Sequence, residues 1–118
     1  MKIAIPSQGG TGLDDTIAEH FGRARFYTLV QVQDKQITGF TVEPVPFDEH
    51  QPGDIPNWLN ELGVDVVISH GMGPRAVEHF ETLGIKSVVG ASGRISDVVE
   101  AFLNSTLSTT PWQPKHEH

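Results

Sequence analysis

The chain has 118 residues, 37% of them hydrophobic, and a formal charge of −7. This length suits one domain with a real core, no apolar run nears the ~20 residues of a membrane span, and the negative charge argues against nucleic acid, which asks for a basic face. With no cysteine, disulfides, a thiolate nucleophile and cysteine-ligated zinc or iron–sulfur sites are excluded.

Met1 to Pro6 reads as a strand broken by proline, not as a signal peptide, so the expected setting is the cytoplasm. Ser7 to Gly12 is too glycine-rich for regular structure and reads as a loop. Phe26 to Gln33 alternates, with Phe26, Thr28, Val30 and Val32 on one face, as a half-buried strand does. Asp34 and Lys35 separate it from a second alternating run, Gln36 to Glu43, which implies a hairpin. Pro44, Pro46 and Pro52 then enforce a loop through Gly53.

Asp54 reads as the N-cap of a helix that turns Ile55, Trp58, Leu59 and Leu62 inward, with Gly63 at its end. Val64 to Ser69 is a nearly continuous apolar run, interrupted only by Asp65, as expected of a strand buried on both faces. Pro74 suits the first position of a second helix, which Gly84 ends. Ile85 to Val89 is a further buried strand. Ile95, Val98, Val99, Phe102 and Leu103 mark a last amphipathic helix. The order β-β-β-α-β-α-β-α, with short connections, predicts a three-layer α/β domain with a mixed five-stranded sheet. That domain is expected over residues 1–107, with a mobile polar tail over 108–118.

In such sheets, ligands bind beyond the carboxyl ends of the parallel strands. Three strands end in glycine-rich exits: Ser7 to Gly12, His70 to Gly73, and Gly90 to Gly93. Glycines let backbone N–H groups approach a ligand, and helix N-termini add partial positive charge, so an anionic ligand suits this rim. Ser7, Gly9, Gly10, Gly71, Met72, Gly73 and Arg75 are the candidates there; plain turn geometry explains glycines equally well. Met72 offers a soft thioether, although loop methionines also simply pack. His70, directly after a buried strand, is either a ligand or structural.

The most informative stretch is Asp15-Thr16-Ile17-Ala18-Glu19-His20-Phe21-Gly22-Arg23-Ala24-Arg25-Phe26. From chemistry alone, His20 is either a metal ligand or anion donor, or a histidine that caps a loop. Arg23 and Arg25 either pair with an anionic ligand or bridge to Asp14, Asp15 or Glu19. Asp14 and Asp15 fit loop caps. Among the remaining histidines, His79 suits a half-exposed helix surface, His50 carries little signal, and His116 and His118 match no structural zinc pattern.

His20-Phe21-Gly22-Arg23-Ala24 followed by an aromatic resembles the motif of the dinitrogenase iron–molybdenum cofactor biosynthesis family. That family includes NifX, NafY, the C-terminal part of NifB and many small stand-alone proteins. The resemblance covers most of the chain, from Met1 to about Leu107. It implies a ribonuclease-H-like fold and a role for His20 in cofactor binding. Some cofactor-carrying members have a cysteine shortly after His-Phe-Gly; this chain has Arg23-Ala24-Arg25.

Enzyme readings find little support. A ribonuclease-H-like catalytic site needs clustered carboxylates for two divalent ions, and the parallel-strand interiors offer only Asp65. No Gly-x-Ser-x-Gly or phosphate-binding Gly-x-x-x-x-Gly-Lys pattern occurs. The expected function is a non-enzymatic carrier of an iron–sulfur-type or iron–molybdenum-type cluster or its precursor, with His20 and His70 as metal ligands. Partners would be cofactor donor and acceptor proteins, not nucleic acid or membrane. The rival is a regulatory or interaction module that binds a small anion or a partner protein.

Overall fold

The computed structural model describes residues 1–47, 51 and 53–107. Five strands, β1 (Lys2–Ser7), β2 (Phe26–Gln33), β3 (Gln36–Pro44), β4 (Val66–Ser69) and β5 (Lys86–Val89), form one sheet in the order β3-β2-β1-β4-β5. β1 pairs with β4, and β4 with β5, in parallel; the β1–β2 and β2–β3 pairs are antiparallel. Three helices, α1 (Asp54–Glu61), α2 (Pro74–Leu83) and α3 (Ile95–Leu103), complete the three layers. This is the mixed α/β arrangement expected from the element order. No helix among the described residues is long and apolar enough to cross a membrane.

Strand alternation divides the core in two. Ile3 and Ile5 of β1 face α3, together with Val30, Val32, Ile68, Ile95, Val98 and Val99. Ala4 faces the other way, with Tyr27, Leu29, Val67, Ile55 and Leu59 of α1, and Phe80 of α2. The second cluster holds a chain of edge-to-face aromatic pairs, Phe80–Phe21–Tyr27–Trp58–Phe47, with centroids 5.5 to 6.4 Å apart.

Several local expectations change for physical reasons. β2 is not half-buried: Tyr27 to Val30 are buried on both faces, because the strand lies inside the sheet under helices on both sides. β5, expected to be buried, is an edge strand with Lys86 exposed and the rest half-buried. β1 continues through Pro6 to Ser7. Its β4 partner reaches only Ile3 and Ala4, so the missing Pro6 N–H breaks no ladder bond on that side.

The N-cap of α1 is Gly53, not Asp54; the Asp54 carboxylate instead accepts the Gln51 N–H at 2.7 Å. β4 begins at Val66, and the Asp65 carboxylate accepts the Lys2 N–H at 2.9 Å. The β2–β3 turn places both Asp34 (φ 55°) and Lys35 (φ 63°) in the left-handed region, as a two-residue turn of the primed type requires. The expectations for the 108–118 tail and for His50 lie outside the described residues.

Candidate functional site

The strand ends meet at a rim, and one segment, Asp15–Phe21, is laid across it. Thr16 bridges to Arg94 at the start of α3, Ile17 to Ser7 at the end of β1, and His20 to Gly71 at the end of β4. Main-chain bonds fix the crossing: Ile95 N–H to Asp15 O (2.9 Å), Ala18 N–H to Pro6 O (2.8 Å), Gly71 N–H to Glu19 O (3.0 Å) and Phe21 N–H to Gly71 O (2.9 Å). Phe21 is only 6% exposed and anchors the segment in the aromatic chain. The fully buried Tyr27 hydroxyl donates to the Phe21 carbonyl at 2.6 Å. His20 is thereby held by its neighbours on both sides, half-buried, while its side chain makes no capping bond.

The glycine loop before this strap is closed around a carboxylate of the chain itself. Asp15 Oδ2 accepts the N–H groups of Gly9 (3.0 Å) and Thr11 (3.2 Å), and Oδ1 accepts that of Thr16 (2.8 Å). Partial burial pushes the Asp15 pKa up, but hydrogen bonds from Thr16, Thr11 and Gly9 outweigh it and hold the carboxyl below its ordinary value. Asp15 is the loop cap expected from the sequence. The Gly9 N–H, expected to serve a ligand, serves Asp15.

His20 opens onto two depressions. The first, of about 260 Å³, is lined by His20, Phe21, Gly22, Gln51, Gly53, Ile55, Pro56, Gly71, Met72, Gly73, Arg75, Ala76 and His79. Its walls are largely apolar, and its polar groups stand at few points, the usual make-up of a ligand pocket. The N-terminus of α2 forms one side: Pro74 occupies the first position and no side chain caps the helix. The Arg75 and Ala76 N–H groups have no carbonyl within the helix to bond. Gly73 has an ordinary φ of −69°, and a Cβ there would meet nothing within 4 Å. Neither strain nor crowding by the protein demands glycine at that position.

The second depression, shallower and of about 420 Å³, is lined by Ser7, Gln8, Ala18, Glu19, His20, Arg23, Ala24 and Arg25. The structure therefore joins His20, Gly71, Met72, Gly73 and Arg75 in one pocket and leaves Arg23 beside it. Ser7 is 1% exposed; its hydroxyl donates to Phe26 O at 3.3 Å and lies 3.1 Å from the Thr28 hydroxyl. Gly10 lies near the Phe26 ring and lines neither depression. His70 does not join the pocket either, and its Nδ1 lies 3.1 Å from Ala91 O. Arg94 sits at the opposite end of the strap from His20.

Sequence reasoning missed two contributors, His79 and the group Gln51, Gly53, Ile55 and Pro56. His79 follows Arg75 by four residues, so the two share a helix face, a signal present in the sequence. Gln51, Gly53, Ile55 and Pro56 carried no such signal, since only tertiary placement brings them to α2. Among the described residues, no group of three His, Cys, Asp or Glu side chains is arranged to hold a metal ion.

Comparison with known proteins agrees with this architecture. PH0822, of known crystal structure, is 38% identical, with a TM-score of 0.86 over 93% of this chain and 96% of its own. The apo form of the orange protein from Desulfovibrio gigas is 22% identical, with a TM-score of 0.74 over 92% of both chains. The uncharacterised protein MJ0580 of Methanocaldococcus jannaschii is 24% identical over 110 residues, 91% of this chain and 89% of that protein. The family described as dinitrogenase iron-molybdenum cofactor matches residues 1–105. With the His20 motif at the rim and the match spanning nearly every described element, the chain belongs to the dinitrogenase iron-molybdenum cofactor family.

Proposed function

We propose that this protein is a non-enzymatic carrier that holds an iron–sulfur-type metallocofactor, or its precursor, in the pocket between the strap and α2. Family membership supports a cofactor-related role. The observation that carries the finer reading is the pocket itself: the motif histidine, Arg75, the uncapped start of α2 and the unfilled space at Gly73 converge there. The residues fit an anionic cargo. A neutral imidazole at His20 offers a lone pair to a metal, Arg75 offers a bidentate donor, and the helix N-terminus adds partial positive charge. Arg23 and Arg25, next to the pocket, add to the positive side of the rim.

Capture of this kind is reversible by construction. The chain has no cysteine, so no thiolate anchors the cargo, and a few neutral donors hold it weakly enough to pass from a donor protein to an acceptor. The cytoplasm is the fitting setting for such a transfer. One observation favours the rival, an interaction module that binds a small anion without a metallocluster: the described residues hold no three-ligand metal group.

An anaerobic titration with an isolated iron–sulfur cofactor precursor, followed by visible absorption, separates the two readings. The carrier reading expects stoichiometric colour in the parent protein and its loss in His20→Ala. A parent that stays colourless refutes it.

A further inference from the structure

We propose that His79 is a second imidazole donor in the His20 pocket, so that metal-bearing cargo is held by two histidines from separate elements. This rests on the carrier reading and adds to it a residue outside the His-Phe-Gly motif. Three observations carry it. His79 lines the same 260 Å³ pocket as His20. It lies on α2 one turn after Arg75, so the helix that presents its uncapped N-terminus to the pocket also presents this ring.

Second, the ring has a seat made for it. Gly53 is buried, has a φ of +97°, and a Cβ added there would stand 3.1 Å from His79 Cε1, 3.4 Å from Nε2 and 3.5 Å from Nδ1. The left-handed conformation favours glycine, and with no side chain at Gly53 the His79 ring packs close to bare backbone at the pocket wall. Third, no hydrogen bond to either ring nitrogen is present among the described residues, and the same holds for His20. A half-buried imidazole that the described residues leave unbonded keeps its lone pair for a ligand.

The ligand class follows from the donors. Two imidazole nitrogens, no carboxylate among the described lining residues and an adjacent arginine suit a borderline transition metal within an anionic cluster; oxygen-seeking calcium or magnesium is a poor match. Loss of the His79 donor leaves His20, the motif residue, to hold the cargo, only more weakly.

The test titrates an isolated iron–sulfur cofactor precursor, without oxygen, into the full chain, His79→Ala, and His79→Phe, which keeps a ring over Gly53 but removes the nitrogens. His116→Ala and His118→Ala are added to every protein to remove the other histidine pair. Pulsed electron paramagnetic resonance counts the imidazole nitrogens coupled to the bound cluster. The expected result is two coupled imidazoles in the parent, one in both His79 variants, and affinity lower by about tenfold or more in each, equivalent to ~1.4 kcal/mol. A parent that binds no precursor overturns the carrier reading and this inference together. A parent that binds, with His79→Phe showing the same affinity and nitrogen count, overturns this inference alone. Thermal melting of the two variants near the parent value confirms that any loss is local.

Discussion

Tyr27→Phe isolates one bond on which the placement of His20 depends. Tyr27 is fully buried, and its hydroxyl donates to the Phe21 carbonyl at 2.6 Å, one residue beyond His20. The phenylalanine ring keeps the edge-to-face contacts with Phe21 and Trp58, both at 5.7 Å between centroids. No cavity of note opens, so the loss is the hydrogen bond plus a carbonyl deprived of this donor in an apolar surround. Such a change costs about 1–2 kcal/mol, which in a domain of this size lowers Tm by about 3–10 °C. Reversible thermal unfolding followed by near-ultraviolet circular dichroism measures it. A Tm within a degree of the parent would refute the argument that this bond pins the strap.

The remaining predictions address other parts of the rim and core. Tyr27 is the only tyrosine, and burial raises its pKa well above the ordinary value. Absorbance at 295 nm should show no tyrosinate while the fold persists. The associated stability, full below about pH 10, should decline as pH rises above that value, and a reversible transition near pH 10 in folded protein would contradict the burial. Asp15 has the opposite sign: its lowered pKa stabilises the fold above the ordinary carboxylate range, and that contribution is lost as pH falls through the lowered value. Asp15→Asn should therefore be less stable at neutral pH and flatter in acid, as acid titration of the two proteins will show. Gly53→Ala should cost about 1–2 kcal/mol from its left-handed backbone alone, and it should also displace His79, readable as shifted imidazole resonances in nuclear magnetic resonance spectra. Phe80→Ala, at a fully buried position of the aromatic chain, should cost about 3–5 kcal/mol, measured by denaturant unfolding.

The order of elements was legible because periodicity reports which faces are buried. Ser7 was read as the start of a loop, whereas β1 runs through it and buries its hydroxyl against Phe26 O and the Thr28 hydroxyl. Depth within the sheet was harder to read. Lys86-Ser87-Val88-Val89 looks like a buried strand in isolation, and only the strand order makes it an edge. The strap was not legible at all. Its bonds run from Thr16 to Arg94 and from His20 to Gly71, partners with no local pattern in common. Of the proposed ligands, His20, Gly71, Met72, Gly73 and Arg75 came together because strand-end chemistry and the motif pointed to the same rim. His70 was either a ligand or structural from its strand-end position, because the first residue of such an exit can turn either way, and here its Nδ1 meets Ala91 O.

The central claim, that the pocket between the strap and α2 receives a metal-bearing cargo at His20, is tested most directly by locating the metal. Crystals of the protein grown anaerobically with the cofactor precursor would give anomalous difference density at the iron edge. The account predicts a peak within coordinating distance of the His20 imidazole, in the pocket bounded by Gly73, Arg75 and His79. A peak only at His116 and His118, or at His70 away from the pocket, would contradict it.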